Sequence, residues 1–443
     1  MTLDKRLQEQ NESISDRLHH LIPGGCHTYS KGDDQFPENA PHAISHGKGA
    51  EVWDLEQNRF IDCSMGLTAV SIGHGYEPVA KAVAESAYLG TNFQRPALLE
   101  LEAAEIFLDT VQSGDMVKFA KNGSTVTTAA VKLARAYTNK NKVALAKEHN
   151  FFSFDDWFIA STACDFGVEP GAAELSVKFS YNDLASVEQL FADPDHDIAC
   201  LIMEPTKFDP PTDDFLNKVG DICRANGVVY ILDEMVSGFK WHIKGAQHHF
   251  NVEPDLSTWG KGMANGFSAC ALTGKREIME LGGVRNSGER KLFLISSTHG
   301  AESTGLAAMI ETIRQFEQHD MFADNWRRGQ ILQDGLRKII AQKNMTAYLQ
   351  VLGDPCLFVV NCLNHDLKVD SNFRTLLLQE MIRRNILFQG LFYPTWSHND
   401  AIIHEILEAF DASLNVYAEA LDNQSTSRLL IGEAAKPVFR KFI

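Results

Sequence analysis

Between about residues 98 and 320 the chain alternates between two spacings of hydrophobic side chains. Leu98 to Val111 places them at helical intervals, Met116 to Ala120 is a short strand-like run, and Thr125 to Tyr137 is helical again. Val143 to Ala146 and Ile198 to Met203 are compact apolar runs. Phe215, Val219, Ile222 and Cys223 form one stripe of a helix that Asn226-Gly227 ends, and Val228 to Leu232 follows as a wholly apolar strand. Strands apolar on both faces, separated by amphipathic helices, predict an α/β fold with a mostly parallel sheet covered on both sides. Such sheets bind ligands beyond the carboxyl ends of their strands, so the polar residues just after these runs matter most.

Outside this region the pattern changes. An N-terminal segment, 1–65, opens as a polar helix candidate and turns irregular around Pro23-Gly24-Gly25 and Phe36 to Pro41. A large domain spans 66–320. From 321 to 443 a smaller α/β domain is expected, with Ile402, Ile403, Ile406, Leu407 and Phe410 facing its core from a late helix. There is no internal repeat and no Pro- or Ser-rich linker, so the domains are closely joined.

Composition adds exclusions. The 443 residues are 44% hydrophobic and 22% charged, with a formal charge of −17, which makes nucleic acid and anionic membranes poor partners. No apolar run is long enough to span a bilayer, and Met1 to Gln10 lacks the apolar core of a signal peptide. The eight cysteines are scattered without a C-x-x-C pair and read as reduced thiols. A cytoplasmic enzyme is the expectation.

Several residues stand where chemistry would be. Asp233 and Glu234 follow the strand Val228 to Leu232, and Glu204 follows the neighbouring run in IACLIMEP. One such carboxylate is as readily a helix cap or half of a buried ion pair, but two at adjacent strand ends suggest a site. Lys261 lies among Trp259, Gly260, Gly262 and Met263, in a stretch nearly free of other charge. Most lysines are solvated surface groups, whereas an amine in apolar surroundings has a lowered pKa and can form Schiff bases. Lys121-Asn122-Gly123-Ser124-Thr125 separates a strand from a helix, where backbone N–H groups can seat a phosphate or simply be capped. His242, His248 and His249 lack standard ligand spacing, so no metal site is expected. Gly260, Gly262 and Gly266 do not form a dinucleotide fingerprint, because no strand leads into them with the required spacing. Asp33-Asp34 and Asp213-Asp214 read as solvated charges.

Taken together, ILDEMVSGF, PDLSTWGKGMANG and KNGSTVTTAAVKLARAYT resemble the class III aminotransferases, and within them most of all the glutamate-1-semialdehyde 2,1-aminomutase branch. The resemblance runs from about Leu21 to the C-terminal helix. It implies the fold type I architecture of pyridoxal-phosphate transferases, with the large domain binding pyridoxal 5'-phosphate and the N-terminal segment packing with the small domain. Lys261 matches the lysine that bonds the cofactor's aldehyde, Asp233 the partner of the pyridinium nitrogen, and Met235 the apolar residue beneath the ring. Gly123 and Ser124 match the phosphate turn, and Phe151 the stacking aromatic, with Phe152 and Ser153 in place of the family's His-Gly. Glu204 matches the glutamate of a Glu-Pro pair near the cofactor. Ser297 and Thr298 match the hydroxyl position that reaches the phosphate from a second subunit, which implies a homodimer.

Departures bear on the substrate. The branch has Ser-Gly-Thr-Glu at the phosphate turn, where this chain has Asn122-Gly123-Ser124-Thr125. Lys31 stands where the branch holds a substrate carboxylate with arginine, and LFYPTWSHND lacks the late arginine of many class III transaminases. A lysine pairs with an anion without bidentate geometry. These changes favour a ping-pong aminotransferase with a small or sugar-type carbonyl acceptor, Lys261 moving the proton and Asp233 keeping the ring nitrogen protonated. The alternatives are an aminomutase acting within one substrate, a non-catalytic cofactor-binding protein, and a metal- or nicotinamide-dependent enzyme.

Overall fold

The computed structural model describes residues 13–285 and 290–442, so the reading of Met1 to Gln10 lies outside the described residues. The described residues divide into two compact units, one of residues 13–65 with 324–440 and the other of residues 66–285 and 290–323 with 441–442.

The larger unit is built on seven strands: β1 (Met116–Ala120), β2 (Lys142–Ala146), β3 (Ser176–Phe179), β4 (Ile198–Met203), β5 (Val229–Asp233), β6 (Leu256–Trp259) and β7 (Cys270–Gly274). They lie side by side in the order β1-β7-β6-β5-β4-β2-β3. From β6 to β3 every pairing is parallel, whereas β7 runs antiparallel to both β6 and β1. The α/β class and mostly parallel sheet follow the sequence pattern. β6 was hidden because its polar Ser257 and Thr258 are buried and satisfied by side chains, Ser257 donating to Gln247 Oε1 at 2.8 Å and Thr258 to Asp233 Oδ1 at 2.8 Å. β6 ends directly before Gly260, so a strand does lead into these glycines, while their spacing remains other than that of a dinucleotide fingerprint.

Helices α1 (Glu77–Leu89), α2 (Leu98–Val111), α3 (Gly123–Thr138), α4 (Phe215–Ala225) and α5 (Ser303–Gln318) are the main helical elements of this unit. Phe215, Leu216, Val219 and Cys223 on α4 pack against Leu201, Met203, Tyr230 and Leu232 of the central strands, so the predicted stripe is the sheet-facing one. Gly227, at φ +61, lets the chain leave α4 and enter β5.

The smaller unit carries two sheets. Strands Ile44–Lys48, Glu51–Asp54 and Arg59–Asp62 form an antiparallel meander, and Ile386–Leu387 joins the last of them in parallel. Leu349–Asp354, Leu357–Cys362 and Leu391–Phe392 form the second sheet. Helix Asp400–Asp422 buries Ile402, Ile403, Ile406 and Phe410 in this unit's core. Asp33 is exposed and Asp34 half-buried at the start of a 3-10 turn, and they also bond His19 at 2.9 Å and Arg440 at 2.6 Å. Their partners come from distant sequence, where no local pattern announces them.

Candidate active site

Three features of the larger unit meet near the carboxyl ends of β4, β5 and β6. Parallel pairing sets Met203 beside Leu232 and Asp233 beside Thr258, which aligns the ends of these strands. Glu204 and Asp233, the predicted pair of strand-end carboxylates, are both 2% exposed.

Asp233 accepts from Thr258 Oγ1 at 2.8 Å and from the Met235 amide at 3.0 Å, both through Oδ1. Oδ2 has no hydrogen bond among the described residues. Burial, and then the negative charge of Glu204, push this carboxyl up to about 7. The adjacent Glu234 points the other way, as alternation along the chain requires. It accepts from the Ala246 amide at 3.0 Å, the Gln247 amide at 2.6 Å and the Ser237 hydroxyl. It is the capping carboxylate that Asp233 is not. Gly245 is obligatory beneath it: its φ is +84°, and a Cβ would lie 2.6 Å from Glu234 Oε1.

Lys261 opens a short 3-10 turn, Lys261–Ala264, immediately after β6. Its φ is +43° and that of Asn265 is +44°, left-handed values that cost a non-glycine residue about 1–3 kcal/mol each. Side-chain staples hold the turn. Ser71 Oγ donates to the Gly262 carbonyl at 2.6 Å. Asn265 accepts from the amides of Ile72 at 2.9 Å and Gly73 at 3.3 Å, and donates to the Gly73 carbonyl at 3.0 Å. Gly260 is needed for space: a Cβ there would collide with Met235 Sδ and lie 2.7 Å from Cys270 Sγ. Burial lowers the Lys261 amine, the positive charge of Lys207 lowers it further, and Glu204 and Asp233 oppose both.

Helix α3 begins at Gly123, with Asn122 as its cap accepting from the Thr125 amide at 3.0 Å. The N–H groups of Gly123 and Ser124 are the outward donors every helix start presents. The hydroxyl oxygen of Ser124 accepts from the Phe154 amide at 3.1 Å, tying the 151–155 loop to the helix start. Met235 crowds Gly123 as well as Gly260, its Cε 3.1 Å from where a Gly123 Cβ would be. Phe151 is 49% exposed and meets Phe158 edge-on, whereas Phe152 is buried. Ser297 and Thr298 lie in an exposed loop ahead of α5. Lys31 belongs to the smaller unit, exposed on the 3-10 turn Tyr29–Lys31.

Sequence reasoning missed Thr258, Ser71, Asn265, His149 and Lys207. Asn265 carried a local signal, an asparagine before glycine that tolerates the left-handed region. Lys207 had one too, three residues after Glu204, whereas Thr258, Ser71 and His149 are brought in by long-range contacts.

These residues fit pyridoxal phosphate. A buried carboxyl with an unbonded oxygen suits a ring N–H⁺, an amine of lowered pKa suits an aldehyde, and a helix start suits a phosphate dianion.

Comparisons agree with that chemistry. The family described as aminotransferase class-III matches residues 34–414. Glutamate-1-semialdehyde 2,1-aminomutase of Sulfurihydrogenibium azorense is 30% identical over 328 residues, covering 70% of this chain and 74% of the relative. Glutamate-1-semialdehyde 2,1-aminomutase 2 of Bacillus mycoides is 28% identical, covering 89% and 96%. Among solved structures, a pyridoxal-phosphate form of the Sphingopyxis sp. FumI protein superposes with a TM-score of 0.85 at 22% identity, over 96% of this chain and 100% of that one. A Pseudomonas aeruginosa glutamate-1-semialdehyde-aminomutase does so with a TM-score of 0.78 at 17% identity, over 93% and 94%.

Proposed function

The chain belongs to the class III aminotransferase family and is a pyridoxal-phosphate-dependent enzyme, and we propose that it moves an amino group from an amino-acid donor to a small or sugar-type carbonyl acceptor in two half-reactions. The observation that carries this reading is the pairing of a lowered-pKa lysine with a buried, half-bonded carboxyl at adjacent strand ends. Bound pyridoxal phosphate supplies an aldehyde that carries the amino group and a ring that accepts the electron pair left by a departing proton. Lys261, as a neutral amine, takes that proton from the substrate carbon and returns it to a neighbouring atom. Asp233 holds a cationic N–H through Oδ2, because a carboxylate in this buried place gains most from an opposite charge. Gly123 and Ser124 bind the phosphate by their N–H groups, Phe151 offers its exposed face for stacking, and Met235 packs from below. Glu204 lies beside the same centre, and Lys31 takes an anionic group of the substrate.

The reading extends to assembly. Tyr88, Leu89, Phe93, Leu98 and Leu101 are exposed within one short segment of the larger unit, an apolar surface that a second copy would cover. Ser297 and Thr298 of one copy would then complete the phosphate seat of the other.

The test is amino transfer by the cofactor-loaded enzyme from glutamate or alanine to a panel of carbonyl acceptors, read as keto acid formed. Production of keto acid only with a separate acceptor supports the aminotransferase. The names of the relatives support a second reading, and isomerisation of glutamate 1-semialdehyde without any acceptor would establish it. Cofactor binding with neither reaction would leave a non-catalytic binder.

A further inference from the structure

Beyond β4 the chain reads Glu204-Pro205-Thr206-Lys207-Phe208, and the polar groups of this turn are incompletely matched. The Glu204 amide donates to His149 Nδ1 at 3.0 Å. That nitrogen is taken by the amide, and of the charges that lower the Glu204 carboxyl against its burial Lys207 comes first, ahead of His149 and Lys261. Glu204 Oε1 lies 3.4 Å from Lys207 Nζ, and Glu204 Oε2 is buried without a hydrogen bond among the described residues. A lysine committed to neutralising a carboxylate sits closer. The same unit supplies the contrast: Lys121 Nζ is 2.7 Å from Glu302 Oε2 and holds that carboxyl down to about 2. Lys207 also lowers the Glu204 carboxyl against its burial, but through a longer hydrogen bond and to one oxygen only. Its side chain is 26% exposed, with Nζ 5.9 Å from the Phe208 ring centre, and its charge is felt at Lys261. An ammonium loosely tethered to a buried carboxylate, beside the reacting amine, has capacity for a second anion.

We propose that Lys207 is a specificity-determining residue that binds an anionic group of the substrate, a carboxylate or a phosphate monoester, beside Lys261. This rests on the aminotransferase reading and deepens it by giving the substrate an acidic group on the β4 side. Glu204 acts as the tether that keeps the ammonium in place.

Unreactive anions test it on the cofactor-loaded enzyme. Glutarate, acetate and inorganic phosphate are titrated by calorimetry into the wild type and into Lys207→Met, Lys207→Arg and Lys31→Ala. The expected result is at least a tenfold weaker dissociation constant in Lys207→Met for the tightest of these anions, with most of the loss restored in Lys207→Arg. A phosphate preference identifies a phosphate ester, and a glutarate preference a second carboxylate. Equal affinities in wild type and Lys207→Met, or a loss that follows Lys31→Ala alone, overturn the assignment. Because these anions need no turnover, failed amino transfer with Lys207-dependent binding counts against the reaction only. Active transfer with unchanged anion affinity counts against Lys207 only.

Discussion

A carboxyl shut away from water keeps its proton, and Asp233 is raised to about 7 for that reason first and for its proximity to Glu204 second. In the cofactor-free chain the sign follows from linkage. The folded state binds this proton more tightly than the unfolded state, so Asp233 favours folding at acid pH, and its contribution is lost as pH rises from about 4 to 7. The full window corresponds to on the order of 4 kcal/mol. Asp233→Asn should flatten this slope in the cofactor-free protein, raising its melting temperature relative to wild type at pH 8, while amino transfer by the loaded variant falls steeply. Parallel melting-pH curves for the two proteins, or near-native transfer at neutral pH, would return Asp233 to a structural role. For Lys261 the expectation is simpler. Lys261→Ala removes both the covalent anchor and the proton carrier, so turnover should drop by more than the roughly 10²–10⁴-fold ascribed to acid–base catalysis alone. The fold and some cofactor binding should persist, and more than trace activity in the purified variant would contradict the assignment.

At the scale of elements, the reacting lysine depends on a turn that its own residues disfavour. Asn265 ties that turn to the Ile72-Gly73 backbone by three hydrogen bonds. Asn265→Ala should cost about 1–3 kcal/mol in unfolding free energy, since it strands buried backbone groups. Hydrogen exchange should quicken across residues 260–266, and unchanged protection there would mean that the turn is held by packing instead. The start of α5 is fixed differently. Glu302 accepts from the amides of Thr304 at 2.9 Å and Gly305 at 3.4 Å as well as from Lys121. Burial opposes its ionisation, but the bonds from Lys121 and Thr304 outweigh it and hold the group down to about 2. Its stabilisation is complete above about pH 4.5 and is lost as pH falls toward 2, on the order of 1–3 kcal/mol after solvent screening. Glu302→Gln should therefore weaken the protein near neutrality and flatten the acid limb of its stability curve. An unchanged acid limb in denaturant titrations at pH 2.5 to 5 would show the pair to be inert.

For the whole molecule the prediction is a two-fold dimer with each site finished by the other copy. Thr298→Val should weaken cofactor affinity by about 1.5–3 kcal/mol, the worth of a hydrogen bond to a charged group, without dissolving the dimer. Mixing Lys261→Ala chains with Thr298→Val chains gives the decisive measurement. In a hybrid dimer the site that keeps Lys261 receives Thr298 from the other copy, so it should recover normal cofactor affinity. A fully active monomer, or verified hybrids without recovery, would remove the shared site.

Much of the fold was legible because it is written in local periodicity. The apolar runs 143–146, 198–203 and 228–232 lie within or one residue from the strands Lys142–Ala146, Ile198–Met203 and Val229–Asp233, and the helix over 98–111 has the bounds its pattern gave. Lys261, Asp233 and Glu204 could be singled out because apolar neighbours and strand ends are features of the linear chain. The expected roles of those residues remain to be tested by the variants above. Position along the chain did not distinguish Asp233 from Glu234. Tertiary structure did, by turning Glu234 onto the amides of Ala246 and Gln247 and leaving Asp233 with an unbonded oxygen. β6 escaped notice because its hydroxyls are satisfied by Gln247 and Asp233, and Ser71 because its partner is the distant Gly262. The sequence by itself determined which segments are helix and strand and which residue types stand at their ends, since burial on one face or two imposes a period. Which polar atoms are satisfied and which are left for a ligand was decided by the folded chain alone, because that depends on donors brought together from far apart.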